Sequence, residues 1–170
     1  MRILLFFALL LGACEQSPLQ NATEAYVRPV SQEAPDAQGQ AVLDAVNALR
    51  ARGCHCPDDK WYPPVTALQW NDLLARSARR HALDMQKHNF FKHTGSDGSD
   101  FTDRIKAAGY NWQVAAENLA MGHNDIAEVV KSWETSQGHC QNLMHPELQE
   151  MGLARIGRFW VQDFGSLKRN

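Results

Sequence analysis

Four side chains able to do acid/base or nucleophilic chemistry recur through the second half of this sequence in three short stretches. These are His93 in Phe91-Lys92-His93-Thr94-Gly95, Glu117 in Ala116-Glu117-Asn118, and Ser136 with His139 in Ser136-Gln137-Gly138-His139. Each stands beside Gly, Ser, Thr or Asn rather than inside an apolar run, the setting expected of a loop or helix end lining a cleft. Two chemistries suit the set. Neutral imidazoles can ligate a divalent metal such as zinc through one nitrogen while the other is held by an acceptor. Glu117 would then be the third ligand and water the fourth, giving a Lewis-acid hydrolase. Alternatively, Ser136 and His139 lie three apart on one helical face, so a general base meets a hydroxyl while Glu117 orients the ring. No nucleophile elbow or oxyanion turn accompanies them. The plainer alternative is a satisfied polar network of His93, Glu117 and His139 that fixes the walls of a groove, with binding through the groove's surface.

The elements that must position these residues follow from periodicity. Val42, Leu43, Val46 and Leu49 predict a helix over Gln40 to Arg52, stopped by Gly53. Pro57, Pro63 and Pro64 make 54–67 a loop. Asn71 then caps a second helix over Asp72 to His88, whose stripe of Leu73, Leu74, Ala78, His81, Ala82 and Met85 faces a core. His81 on that stripe reads as a buried helix histidine bonded to a carbonyl or carboxylate. Gly95 to Ser99 form a loop, and Asp100 to Ala108 a short helix closed by Gly109. An extended piece over Tyr110 to Gln113 leads to a turn at Glu117-Asn118. Asp125 caps a helix carrying Ile126, Val129, Val130 and a core Trp133. A further helix over Ser136 to Met144 follows a Gln-Gly break and ends before Pro146. Met151 to Ile156 and Arg158 to Phe164 read as two strands around Gly157. Helices first and a terminal hairpin give an α+β domain rather than a wound parallel sheet.

The rest of the chain bounds the function. Of 170 residues, 17 are basic and 19 acidic, a net charge of -2, which supplies no basic field for nucleic acid. Met1-Arg2, an apolar run from Ile3 to Leu11 and Gly12-Ala13-Cys14 form a secretory leader, residues 1–13. The run is far short of the roughly 20 residues that span a bilayer. Leu11-Gly12-Ala13-Cys14 resembles a bacterial lipobox, which makes Cys14 a lipidation site and the N-terminus a membrane anchor; the plainer option is ordinary cleavage near Ala13. Residues 14–38, rich in Pro, Gln, Ser and Ala, read as a flexible tether, and 39–168 as one domain.

Export permits disulfides, and with Cys14 acylated three cysteines remain: Cys54, Cys56 and Cys140. Cys54-His55-Cys56 with Cys140 and His139 is a poor zinc signature, lacking a second spaced pair. A bridge from Cys56, or from Cys54, to Cys140 would tie the loop after the first helix to the segment bearing His139. Closing a loop of that length constrains the unfolded chain by about 4 kcal/mol in the entropy model. One thiol is left without a role.

Eight ordered blocks across residues 40 to 166 resemble the CAP superfamily, also called the SCP domain. They are Pro63-Pro64-Val65 with Leu68-x-Trp70, Ala78-x-x-His81-Ala82-x-Asp84-Met85, Phe91-x-His93-x-Gly95-x-Asp97-Gly98, Arg104 with Gly109-Tyr110, Glu117-Asn118-Leu119-Ala120, Trp133-x-x-Ser136-x-x-His139, Met151-Gly152 and Trp160-x-Gln162-x-Phe164-Gly165. Gly138-His139-Cys140 and the upstream Cys-x-Cys are similar to the bacterial, secreted or lipid-anchored branch and fit a bridge between them. The resemblance implies a three-layer α-β-α sandwich with a central cleft. In many members two His and two acidic residues line that cleft and can hold a divalent metal. His93 matches the first His and Glu117 the first Glu. The strand that carries the second His in eukaryotic members is here Gly157-Arg158-Phe159-Trp160-Val161-Gln162, which has none; His139 stands in its place, and the second acid becomes Ser136 or shifts to Glu134. The expectation is an exported CAP module, held in the bacterial cell envelope at the outer membrane or periplasm, or secreted, that binds a lipid, peptide or envelope component. The alternative is a hydrolase using His93, Glu117 and His139.

Overall fold

In a computed structural model of the chain, residues 33–168 are described and run through five helices and six strands. The leader, Cys14 and most of the tether lie outside the described residues. Helix α1 (Ala37–Arg52) starts three residues earlier than its apolar pattern suggests, because the Asp36 side chain accepts from Gly39 N and caps it. It ends at Gly53, where φ is 71°, a backbone value that glycine adopts without strain. The segment expected to be loop instead forms a hairpin of β1 (Cys54–His55) and β2 (Trp61–Tyr62). Prolines at 57, 63 and 64 lie outside both short strands, so they do not interrupt the pairing.

Strand β3 (Gln69–Trp70) leads into α2 (Asp72–His88), whose N-terminus is capped by Asn71 accepting from Leu73 N and Leu74 N. Helix α3 (Phe101–Ala107) carries a reciprocal capping box of Asp100 and Asp103. Strand β4 (Trp112–Met121) is one unbroken ten-residue strand. The turn expected at Glu117-Asn118 is therefore absent: both faces of this strand are covered by helices, and the polar pair is accommodated inside it by internal partners. Helices α4 (Ile126–Glu134) and α5 (Gln137–Leu143) break at Thr135-Ser136, not at Gln137-Gly138, which lie inside α5. Strands β5 (Glu150–Ile156) and β6 (Phe159–Leu167) close the chain as a hairpin.

The main sheet has the order β3-β5-β6-β4, with β3 parallel to β5 and the other pairs antiparallel. Strand alternation divides its side chains between two cores. Leu119, Phe159 and Val161 meet Ala78, Ala82 and Met85 of α2 on one face. Ala120, Trp160, Phe164, Met151 and Leu153 meet α1, α4 and α5 on the other. This is the α+β, three-layer α-β-α sandwich.

Two devices set the spacing of the layers. Arg50 of α1 is fully buried and donates to the carbonyls of Thr66, Leu143, His145 and Leu148 at 2.7–3.2 Å. Burial lowers its pKa to about 10, so it remains a cation and clamps α1 to the C-terminal end of α5, where the helix dipole favours positive charge. On the opposite face α2 crosses β5 at Gly152, where an added Cβ would stand 2.0 Å from Ala75 N and 2.4 Å from the Leu74 carbonyl carbon. Both obstacles are backbone. Gly152→Ala is expected to cost at least about 3 kcal/mol, lowering the melting temperature on the order of 10 °C, whereas Gly138→Ala, with open space around it, is neutral or stabilising. Equal denaturation midpoints for the two variants would show that α2 does not depend on this close approach.

Candidate functional site

Glu117 sits in mid-strand on β4, opposite Asp163 of β6, on the face covered by α2 and α3. Its side chain is wholly enclosed and both oxygens are engaged. Arg104 of α3 donates Nη2 to Oε2 at 2.7 Å, and His93 donates Nδ1 to Oε1 at 2.7 Å, since a carboxylate can only accept. Arg104, itself buried, also donates to His93 O and Ser99 O, both at 2.9 Å. One guanidinium thus fixes the bend carrying His93, the loop after it and the carboxylate that orients the ring. The His93 side chain is 56% exposed, so Nε2 is left to the cleft.

His139 reaches the same region from the other layer. On β4 the next residue, Asn118, points to the opposite face from Glu117, where its amide donates to His139 O at 3.4 Å. Asn142 of α5 donates to Asn118 Oδ1 at 2.9 Å and to Glu117 O at 3.3 Å. The Cys56–Cys140 disulfide holds the residue after His139. Burial, and secondarily the Coulombic influence of His93, lowers the His139 pKa, so its imidazole is neutral at pH 7. That influence makes the two rings neighbours: His93 comes from the bend after α2 and His139 from α5, on either side of β4, which has a strand partner on one side alone in this sheet.

Other expected partners lie elsewhere. Ser136 is the N-cap residue of α5 but makes no cap bond, and no hydrogen bond joins it to His139 among the described residues. Its hydroxyl and the ring do not form the pair that their spacing suggests. Glu134 bonds Arg52 and Lys131, both at 3.2 Å, and supplies no second acid to the cleft. The ligand atoms of His93, Glu117 and His139 do not converge: among the described residues, the one group of three or more whose ligand atoms all lie within 4.8 Å is Cys54, Cys56 and Cys140. With its oxygens taken by Arg104 and His93, Glu117 does not fit the role of third zinc ligand. His81 is a buried helix histidine whose Nε2 meets Lys92 O at 2.8 Å.

Beneath the cleft is a buried carboxylate absent from the sequence-derived set. Asp163 and Glu117 are cross-strand neighbours, 0% and 4% exposed, with Arg104 as their cation. Burial, and then the charge of Glu117, raises the Asp163 pKa well above its ordinary value. Ser77 and Glu117 are its polar neighbours, yet neither Asp163 oxygen has a partner of good hydrogen-bond geometry. Protonation removes the charge that these oxygens would otherwise carry without a donor. A raised folded pKa gives stability that is full below the unfolded value of 3.8 and is lost as pH rises toward the folded value. Asp163→Asn is therefore expected to gain on the parent by up to about 1.4 kcal/mol per pH unit between pH 4 and the folded pKa. Denaturant titrations from pH 4 to 8 measure this, and a pH-independent difference would mean that Asp163 is ionised.

The blocks and the geometry agree with the comparisons. A model of the cysteine-rich secretory protein family (CAP) matches residues 43–164. Over 100 residues the chain is 37% identical to an uncharacterized protein of Bacillus subtilis, YkwD, covering 57% of this chain and 38% of that protein. It thus spans well under half of that relative's length. An extracellular SCP-domain protein of Bacillus anthracis superimposes with a TM-score of 0.68 at 27% identity, over 77% of this chain and 40% of that one. An outer surface protein of Borrelia burgdorferi has the same fold, with a TM-score of 0.67 at 20% identity, over 81% and 98% of the two chains. The family match, which covers more than half of the chain, means that the chain belongs to the cysteine-rich secretory protein (CAP) family.

Proposed function

We propose that this chain is an exported, envelope-tethered CAP module that binds a lipid, a peptide or an envelope component between His93 and His139 without turning it over. The observation that carries this reading is the enclosure of Glu117. Its carboxylate spends both oxygens on Arg104 and His93, so it positions a ring instead of meeting a ligand. What remains for a ligand is one nitrogen of an exposed imidazole and a neutral imidazole opposite, both suited to hydrogen bonding. Export is supported by the leader, by the Cys56–Cys140 bridge and by relatives described as extracellular or outer-surface proteins. Acylation at Cys14 would tether the domain to a membrane, and no helix among the described residues is long and apolar enough to cross one.

A second reading, a hydrolase, draws on one specific contact. An imidazole held at Nδ1 by a carboxylate 2.7 Å away has its free Nε2 poised as a general base, the arrangement that orients histidines in nucleophilic catalysis. Zinc would have His93 and His139 as candidate ligands but would need others in place of Glu117, whose oxygens are engaged.

The two readings separate in a paired assay of the purified full chain. Binding of a fluorescent fatty acid and of an extended peptide is measured alongside turnover of fluorogenic peptides and esters. Losing one hydrogen bond weakens binding by about 5-fold, so His93→Ala and His139→Ala are each expected to do so, with turnover no different from the parent. A loss of hydrolysis of about 100-fold or more in either variant, or stoichiometric zinc retained by the parent and lost from His139→Ala, would replace the first reading with the second.

A further inference from the structure

Cys54, the thiol left without a role by the sequence, is buried with its Sγ 3.6 Å from Sγ of Cys140, which is bonded to Cys56. The three sulfurs lie within 4.8 Å of one another. Contact between a free thiol and a disulfide sulfur supplies the proximity for thiol–disulfide exchange, in which a thiolate attacks one sulfur in line and expels the other; because all three sulfurs lie within 4.8 Å, the Cys54 side chain must rotate to come in line behind the Cys140–Cys56 bond. Cys54 and Cys56 are one residue apart on the same hairpin, so either can reach Cys140 without large backbone movement.

We propose that Cys54, Cys56 and Cys140 form one exchange centre: the Cys54 thiolate attacks Cys140 Sγ, a Cys54–Cys140 bond forms, and the Cys56–Cys140 bond breaks with Cys56 leaving as a thiolate. The Cys54 proton goes to solvent before attack and the Cys56 thiolate takes one up afterwards. One disulfide replaces another, so no oxidant or reductant is consumed.

The exchange changes what is attached to the cleft. In the resting pairing the tip of the β1–β2 hairpin is stapled to α5 through Cys56, and Gln141 beside Cys140 donates to Asp58 in that tip at 3.3 Å. In the exchanged pairing α5 is held instead by Cys54, directly after α1 and Gly53. The residues following Cys56, ordered by Cys56 N to Lys60 O and Asp59 N to Cys56 O, lose their covalent tie to the His139 helix, while α5 stays anchored through Cys54, Arg50 and Asn118. The centre is a latch that frees one wall of the hairpin and leaves His139 in place. Burial, then the charge of Glu134, raises the Cys54 pKa, with Arg52 opposing. The thiolate fraction is therefore small at neutral pH and the latch opens slowly there, faster as pH rises.

The test uses the full chain with Cys14→Ser, so that three sulfurs alone compete. Samples held at pH 6 and pH 9 are quenched in acid, unfolded, alkylated and mapped by mass spectrometry, the label falling on whichever of Cys54 and Cys56 is free. Label is expected to move from Cys54 onto Cys56, with a rate rising about tenfold per pH unit below the Cys54 pKa. The Cys56→Ser variant, refolded with oxidised glutathione to take up the two electrons, is expected to form Cys54–Cys140, and amides at 56–60 to exchange hydrogen at least about tenfold faster than in the parent. Label confined to Cys54 after prolonged incubation at pH 9 overturns the proposal. So does a folded Cys56→Ser chain in which Cys54 and Cys140 are both alkylated after refolding with excess oxidised glutathione. The label distribution in the parent decides the matter even if that variant fails to fold.

Discussion

A buried ion pair, Arg104 with Glu117, is the constraint around which the site is arranged. Two charges removed from water are tolerable when geometry and further hydrogen bonds satisfy them. Here the guanidinium binds a carboxylate oxygen and two backbone carbonyls, while the second carboxylate oxygen binds an imidazole. Such a pair is weak evidence for stability, because well-packed apolar residues often do as well. Its effect here is on position. It joins α3, the bend at His93 and the middle of β4, beside the apolar cluster in which Ile105 and Phe101 of α3 meet Trp112 and Ala115 of β4. The second carboxyl group, Asp163, shares the charge of Arg104 with Glu117, and burial and the Glu117 charge raise its pKa, favouring the neutral acid.

The opposite wall is held by unrelated means. Helix α5 has seven residues, too few to be stable alone. It is fixed at its C-terminal end by Arg50, in its middle by the disulfide, and toward the sheet by Asn142 and Asn118. His139 therefore stands on a wall whose supports meet those of His93 at β4, where Asn142 also donates to Glu117 O. The two walls touch through adjacent residues of one strand, Glu117 and Asn118, whose side chains point to opposite faces. A cleft built over a strand in this way needs no long loop to bring its sides together.

Much of this was legible beforehand because local rules agreed with the fold. Asn71, Asp100 and Asp125 each precede an apolar helical pattern, and each caps a helix, since an extended residue with a short acceptor satisfies orphan amides wherever it occurs. Glu117-Asn118 misled because polar pairs inside a strand look like turns until both faces are known to be covered. The hairpin over Cys54 to Tyr62 was hidden by prolines that fall beside its strands rather than in them. Arg104 stood among the family-like blocks without an evident task, and Arg50 and Asp163 gave no signal, for an arginine at a helix end or an aspartate in an apolar run ordinarily faces water.

By itself the sequence determined the helices and the terminal hairpin, because periodicity and capping are properties of short segments, while its resemblance to the CAP family implied the layered architecture and singled out His93, Glu117 and His139 as candidates. Tertiary structure decided what those residues are free to do. Strand register put Asp163 opposite Glu117, the approach of α3 assigned Arg104 to that carboxylate, and the path of the β1–β2 hairpin gave Cys140 to Cys56 with Cys54 in contact. Each of these pairs residues far apart in the chain. Which of several possible partners is met depends on how the layers pack, and packing is not a property of any one segment.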